Sequence, residues 1–308
     1  MKKFRILMGA AALVVVAAVI IACKKDMINQ NVPQSLDNCE DSFVDLNGIH
    51  VKVQRDTIFN ISKDGADWLY FESKKDYELA IASYSDASDS QMSSFEKVLS
   101  FSSMRSNLST VQREAIEIED DLLAMFLNPS GIIQVGDFIF EIDVANDTVL
   151  VFNQVSPHKT PLIFSVDDEI FDVLEGNKES GEKGCSAKNK MHGEDVGVEA
   201  ITCKVVYQKA GIYFSLQSKI KKDHWGGTLD LYLSCLGGSA NRYRKNNDNS
   251  TYFIPAYNAG GGDHSYHYRP YSGVRKLVNF HFTVGFMAKD DYYNYGTDWF
   301  DLSINCGV

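Results

Sequence analysis

The patterns that define several common enzyme classes are missing from this chain of 308 residues. It contains no G-x-S-x-G, no phosphate-binding loop, no G-x-G-x-x-G and no H-E-x-x-H, and its six cysteines include no C-x-x-C pair. No basic stripe offsets the formal net charge of −11, which argues against nucleic-acid binding. The sequence therefore predicts no catalytic residue, no metal and no cofactor. It favours a non-enzymatic protein without excluding an enzyme.

Long apolar runs are also absent, apart from one at the N-terminus. Residues 6–22 are uncharged and follow three basic side chains, which is typical of a signal peptide. The run ends in Ile20-Ile21-Ala22-Cys23 and resembles the lipobox of bacterial lipoproteins. The resemblance implies cleavage after residue 22, lipid attachment to the Cys23 thiol, and a membrane as partner through that anchor. A permanent anchor helix is the alternative, because the run is near the length of a membrane span.

Composition and periodicity divide the rest of the chain. Up to residue 176, strand-like alternation is combined with helical spacing at 91–104 and 110–127 and with a hairpin pattern around Gly136-Asp137. Glycine and charged residues then replace apolar periodicity, and strands with Gly- and Asn-rich turns follow. We predict an α+β domain followed by an all-β, sandwich-like domain. The predicted segments are a signal peptide (1–22), a tether (23–40), the α+β domain (41–176), a linker (177–199) and the sandwich domain (200–308).

Charge is distributed unevenly along the chain. Residues 40–180 hold 27 acids and 10 bases, whereas residues 181–308 hold 12 acids and 15 bases. Solubility is the simplest interpretation of the acidic half. The excess also leaves room for a cationic partner or a metal.

Cys23 is assigned to the lipid, so five cysteines remain in a compartment that permits disulfides. Alternation places Cys203, Cys235 and Cys306 on the core-facing side of their strands. We predict a Cys235–Cys306 bridge, with Cys203 as a rival partner and Cys185–Cys203 as the second bridge. The alternative is that the cysteines are reduced and buried as small apolar residues.

The stretch 241–271 is the best candidate for a binding surface because it combines tyrosine with arginine. Tyrosine offers a large contact area at low entropic cost, and arginine accompanies it at recognition sites. Packing of the rings on the sandwich is the alternative. The candidate binding residues are Arg242, Arg244, Tyr257, Tyr266, Tyr268, Arg269 and Tyr271.

The lipobox, the acidic helical segment and the run NPSGIIQVGDFIFEID at 128–143 together resemble a group of uncharacterised outer-membrane lipoproteins of Bacteroides-like bacteria. The resemblance implies lipid anchoring in the outer membrane, facing the periplasm or the cell surface, and no known activity. We therefore expect a non-enzymatic cell-envelope protein that acts in binding or adhesion, with a glycan or a protein as its ligand. A fimbrial-type structural subunit is the first alternative, and a secreted hydrolase is the second.

Overall fold

A computed structural model describes residues 42–55, 67–154, 160–176, 188–192, 201–222, 229–242, 250–262, 264–290 and 295–306. The predicted signal peptide, the lipidation site Cys23 and the tether lie outside these residues, as do Cys185 and Arg244. Residues 42–308 form one compact unit. The described chain is mostly β, with several sheets.

The first half of the unit is built on one seven-stranded sheet whose strands follow chain order. All neighbours are antiparallel except β3 and β4, which are parallel because five helices intervene between them. The predicted hairpin around Gly136-Asp137 is confirmed as β4 and β5. The strands are β1 (Val44–Asp45), β2 (His50–Gln54), β3 (Trp68–Phe71), β4 (Ile132–Val135), β5 (Phe138–Asp143), β6 (Thr148–Asn153) and β7 (Leu162–Phe164).

Most of the helices begin after a capping serine or aspartate. One of these caps shows that a predicted helix is in fact two. The predicted helix at 110–127 is two helices, because the Asp120 side chain accepts from the backbone N–H groups of Leu122 and Leu123 and starts a new helix there. Glu117, in the connection, has a positive φ of 59° that no helix allows. The helices are α1 (Lys74–Tyr84), α2 (Asp89–Val98), α3 (Met104–Asn107), α4 (Thr110–Ala115), α5 (Asp121–Phe126) and α6 (Ile170–Leu174).

The second half consists of three further sheets. One has the order β15-β10-β9-β8, another β14-β11-β17-β18 with β19 also paired to β17, and the third β13-β12-β16. The strands are β8 (Lys188–His192), β9 (Ile201–Lys209), β10 (Phe214–Lys222), β11 (Asp230–Cys235), β12 (Gly238–Arg242), β13 (Ser250–Ile254), β14 (Tyr257–Gly262), β15 (Tyr266–Gly273), β16 (Leu277–Val278), β17 (Phe280–Asp290), β18 (Tyr295–Gly296) and β19 (Phe300–Cys306).

Two large apolar cores correspond closely to the two halves. One is built from the seven-stranded sheet and its helices, and the other lies between the sheets of β9–β10 and β11–β17. The β9–β10 turn crosses the predicted boundary, because Ile212 and Tyr213 belong to the first core. Gly211 allows this approach: its φ is 72°, and a Cβ there would lie 2.5 Å from Cδ1 of Ile170. The second half therefore completes the core of the first.

The prediction of a linker at 177–199 is wrong for those of its residues that the structure describes. Residues 188–192 form β8, which pairs antiparallel with β9 from Lys188↔Val206 to His192↔Thr202. Its sequence, KNKMH, carries little apolar periodicity, because an edge strand needs backbone pairing more than a buried face.

Candidate functional site

The tyrosines predicted to form a binding surface are largely buried. Tyr268 and Tyr271 belong to the second apolar core, and Tyr257 and Tyr266 pack against it. The Tyr257 and Tyr268 rings stack with centroids 4.4 Å apart, and the Tyr268 hydroxyl donates to the carbonyl of Pro255. The prediction of an exposed aromatic patch is therefore wrong for Tyr268 and Tyr271, whereas Tyr257 and Tyr266 are half-buried and their part in binding stays a prediction. Arg242 ends β12, opposite Leu277.

A β-bulge in β15 explains why both Tyr268 and Tyr271 reach the core. Tyr271 pairs with Leu216 and Tyr268 with Ser218, so two residues of β15 oppose the single residue Gln217. The extra residue shifts the alternation, so that side chains three positions apart face the same side. It also directs Arg269 to the opposite face, where the side chain is 1% exposed.

Arg269 makes a two-pronged ion pair with Asp120, the residue that caps α5. Its Nε lies 3.1 Å from Oδ2 and its Nη2 lies 2.9 Å from Oδ1, and Nη1 donates to the Ser85 carbonyl at 2.7 Å. The hydroxyls of Tyr213, at 2.9 Å, and Ser215 also donate to Oδ2. Asp120 therefore joins α5 to both β10 and β15.

Burial and charge act in opposite directions on these groups. Burial alone raises the pKa of a carboxyl, but Arg269 and the Ser215 and Tyr213 hydroxyls hold the pKa of Asp120 below its ordinary value. Burial and the Asp120 charge raise the pKa of Tyr213. Desolvation and the nearby Arg269 lower the pKa of His267, whose Nε2 lies 3.0 Å from Oε1 of Gln217. The described contacts hold these side chains in place, and neither pocket described below reaches them.

Ion pairs continue this polar contact along the sheet. Lys204 of β9 lies 2.7 Å from Glu119, and Lys190 of β8 lies 2.8 Å from Glu114. Asp121 contacts Arg113 at 2.6 Å and Lys219 of β10 at 3.7 Å. Acids of the first half thus face bases of the second. The bases of the second half therefore neutralise part of the negative charge of the first half, which is the charge that suggested a cationic partner.

The cysteines face the core as predicted, but the predicted bridges are wrong. Cys235 is a free, buried thiol, and Cys203 is also a thiol, whereas Cys306 is disulfide-bonded. The register explains why Cys235 and Cys306 do not meet. Ser234 opposes Gly285 on one side of β17, and Cys306 opposes Phe280 on the other. Cys235 follows Ser234 and so lies level with Val284, which puts it two strand spacings and about four residues, roughly 16 Å, from Cys306. A disulfide needs about 5.5 Å between Cα atoms.

His50, Glu72 and Asp76 form a cluster at the start of α1. The Nδ1 atom of His50 lies 3.4 Å from Oε2 of Glu72 and 3.2 Å from Oδ1 of Asp76. Among the described residues, it is the group whose His, Asp and Glu ligand atoms lie close enough to share a metal ion. Burial would raise the pKa of Asp76, but hydrogen bonds from the Ser73 hydroxyl and the His50 backbone hold it below the ordinary value.

A pocket of about 310 Å³ adjoins this cluster and shares Glu72 with it. Its apolar floor comes from Phe138, Phe171 and Leu174, and its rim from the carboxylates of Glu72, Asp137 and Glu175. Lys74 is paired with Glu175 at 2.6 Å and lies 5.3 Å from the centre of the Phe171 ring. The rim therefore has an excess of negative charge.

A second pocket, of about 320 Å³, lies between the halves, and most of its charged side chains are already engaged. Lys209 pairs with Asp167 at 2.6 Å, and Glu119 pairs with Lys204. In the first pocket, by contrast, Asp137 is exposed, and within the described chain no side chain donates to its carboxylate. The first pocket therefore offers the more available polar groups.

Sequence reasoning missed the residues of both the cluster and the pocket. Glu72 and Asp76 are four positions apart around a helix start, a spacing that surface helices use routinely. His50 is 22 residues earlier, and only the β2–β3 pairing brings it to them. Asp120 is hidden in the acidic run 117–121, where no local signal separates it from solvent-exposed acids.

Comparison with known proteins adds little to this geometry. No protein-family model matches the chain, and no curated protein matches it. Among solved structures, it has a weak similarity to the crystal structure of a DUF4848 family protein from Bacteroides thetaiotaomicron, with 12% identity and a TM-score of 0.20 over 82% of this chain and 100% of that chain. A similarity at this level assigns neither a fold nor an activity. In the part of the chain that the structure describes, no helix is long and apolar enough to cross a bilayer.

Proposed function

We propose that the chain is a lipid-anchored protein of the bacterial cell envelope that binds a small glycan in the pocket around Asp137. In this proposal residues 41–176 act as an α+β domain, and residues 200–308 act as a sandwich-like domain that supports it. The pocket carries the proposal: it combines an apolar floor with a rim of carboxylates and lies at the low end of the size range of small-molecule sites.

The chemistry of the rim selects among glycans. Carboxylate oxygens only accept hydrogen bonds, and a sugar offers several hydroxyl donors. The partly buried Phe138 ring supplies an apolar surface for the C–H face of a sugar ring. Three carboxylates against the single Lys74 repel anionic ligands, so the ligand is a neutral or amino sugar of one or two rings.

Saturation-transfer NMR with a panel of neutral, amino and acidic mono- and disaccharides tests the pocket. We expect neutral or amino sugars to bind. Asp137→Asn should weaken binding by about tenfold or more, since a charged hydrogen bond contributes roughly 1.5–3 kcal/mol. Phe138→Leu should weaken it by about fivefold, because it removes the aromatic surface against the sugar. Asp298→Asn removes an exposed acid elsewhere and should bind as the unaltered chain does. Equal affinity in Asp137→Asn and Asp298→Asn would place the ligand outside this pocket.

The anchor is tested separately with Cys23→Ser in the full precursor. We expect the unaltered chain to partition into detergent and the Cys23→Ser chain to remain uncleaved or to become soluble, because the acyl chains supply the membrane affinity. If Cys23→Ser matures and partitions normally, the lipobox assignment is wrong.

A further inference from the structure

We propose that His50, Glu72 and Asp76 form a binding site for a divalent transition-metal ion of the zinc class, independently of whether the neighbouring pocket binds a glycan. His50 begins β2, Glu72 directly follows β3, and Asp76 lies in the first turn of α1. Their ligand atoms all lie within 4.8 Å of one another.

Two of the three spacings between these atoms fit a tetrahedral centre. Zinc bonds of about 2.0–2.1 Å to nitrogen and oxygen place neighbouring ligand atoms about 3.3 Å apart. The Nδ1 atom of His50 lies 3.4 Å from the Glu72 carboxylate and 3.2 Å from that of Asp76. One imidazole with two carboxylates is a ligand set that zinc accepts, and small rotations of the exposed Glu72 side chain would complete it.

Hydrogen bonds hold the cluster in this arrangement. The backbone N–H of His50 donates to Oδ1 of Asp76 at 3.0 Å, and the Ser73 hydroxyl donates to Oδ2. The backbone N–H of Glu72 donates to the His50 carbonyl at 3.0 Å. A carboxylate has about four acceptor positions, so Asp76 keeps two for a cation while its orientation is fixed.

Charge and access also favour a cation. Within the described chain no lysine or arginine pairs with Glu72 or Asp76, so two carboxylates share one imidazole. The side chains of His50 and Glu72 are 46% and 54% exposed, which leaves an entry path and room for a water as fourth ligand.

Calorimetric titration of the full, chelator-treated chain with Zn²⁺ tests the site. We expect about one equivalent to bind, and His50→Gln and Glu72→Gln each to weaken that binding at least tenfold, the scale on which ligand-shell changes act. His281→Gln removes another exposed histidine, outside the cluster, and should leave the affinity unchanged.

A second measurement separates loss of ligand from loss of fold. Zn²⁺ should raise the melting temperature of the unaltered chain and of His281→Gln but not that of His50→Gln, while the metal-free melting temperatures of all three agree closely. Zn²⁺ affinity in His50→Gln equal to that of the unaltered chain overturns the proposal. So does failure of the unaltered chain to bind Zn²⁺ at all.

Discussion

The two faces of the sheet formed by β9 and β10 differ in chemistry although both are buried. One face presents Val205, Tyr207 and Leu216 to the second apolar core. The other presents Lys204, Gln208 and Ser215 to the acidic segment 113–121, and residues 201–208 are buried without exception. An antiparallel strand with alternating polar residues is usually half exposed. Here the alternation instead separates a core from a buried polar contact between the halves.

Each face depends on a different physical condition. The apolar face requires only exclusion of water, and many side chains of similar volume would satisfy it. The polar face requires a partner for each charge, because a buried ion left alone is far more costly than a lost apolar contact. The comparison predicts that the polar face is the more sensitive to substitution and the only one sensitive to pH.

The largest expected effect is that of Arg269→Ala, which leaves Asp120 buried without its counter-ion. We expect a loss of about 3–5 kcal/mol in the free energy of unfolding, measured in urea at pH 7. Arg275→Ala is the matched control, because Arg275 pairs with Asp172 at the surface and should contribute about 0–1 kcal/mol. Similar losses in both variants would contradict the ranking.

Lowering the pH provides a further test of the Arg269–Asp120 ion pair. Asp120 has a lowered pKa, so the stability it contributes is present above its unfolded pKa of about 3.9 and is lost as the pH falls through the folded value. The cost of Arg269→Ala should therefore shrink toward pH 3, because protonation removes the unpaired charge. Leu216→Ala, on the apolar face, should cost about 2–5 kcal/mol at either pH.

Two neighbouring lysines on the polar face test whether burial decides how much stability an ion pair contributes. Lys190 and Lys204 are direct cross-strand partners. Lys190 pairs with Glu114, and Lys204 pairs with Glu119 at 2.7 Å and lies 4.0 Å from Glu114. Lys204 and Glu119 are both almost fully buried, so Lys204→Ala should cost about 2–3 kcal/mol by stranding a charge. Lys190 is more exposed, and Lys190→Ala should cost less than about 1 kcal/mol in the same urea titration. The reverse order would show that burial does not decide the cost.

The smallest expected effect has the opposite sign and concerns Glu169, at the start of α6. Burial raises its pKa from 4.5 to about 7, so its contribution to stability is complete below pH 4.5 and is lost as the pH rises through 7. Glu169→Gln keeps an acceptor for the Lys276 N–H, 2.8 Å away, and carries no charge. We expect Glu169→Gln to be about 1–2 kcal/mol more stable than the unaltered chain at pH 8 and no more stable at pH 4.5. A gain of equal size at both values would assign it to packing rather than ionisation.

Sequence periodicity predicted the elements whose stability is local. The β4–β5 hairpin follows from Gly136 and its flanking alternation. The core-facing side of Cys203, Cys235 and Cys306 was also predictable from alternation. These features depend on residues a few positions away in the chain, and such local patterns can be recognised in a single sequence.

Features decided by distant partners were not predictable. The bulge shifts the alternation of β15 so that the Arg269 side chain reaches Asp120, which is 149 residues away in the chain. The cysteine pairing failed because alternation gives the facing side of a residue but not its position along the partner strand. The cluster of His50 with Glu72 and Asp76 likewise depends on a strand pairing that composition does not encode.

The dependence of the first core on Ile212 and Tyr213 has a consequence for the order in which the chain folds. A ribosome delivers the acidic half first, and at that stage neither the β9–β10 turn nor any of the bases that face Asp120 and Glu119 has been synthesised. The first half therefore stays incompletely packed until about 90 further residues have emerged. Closing contacts over such separations is slow, so the last-made strands should control the rate at which the whole chain reaches its native state.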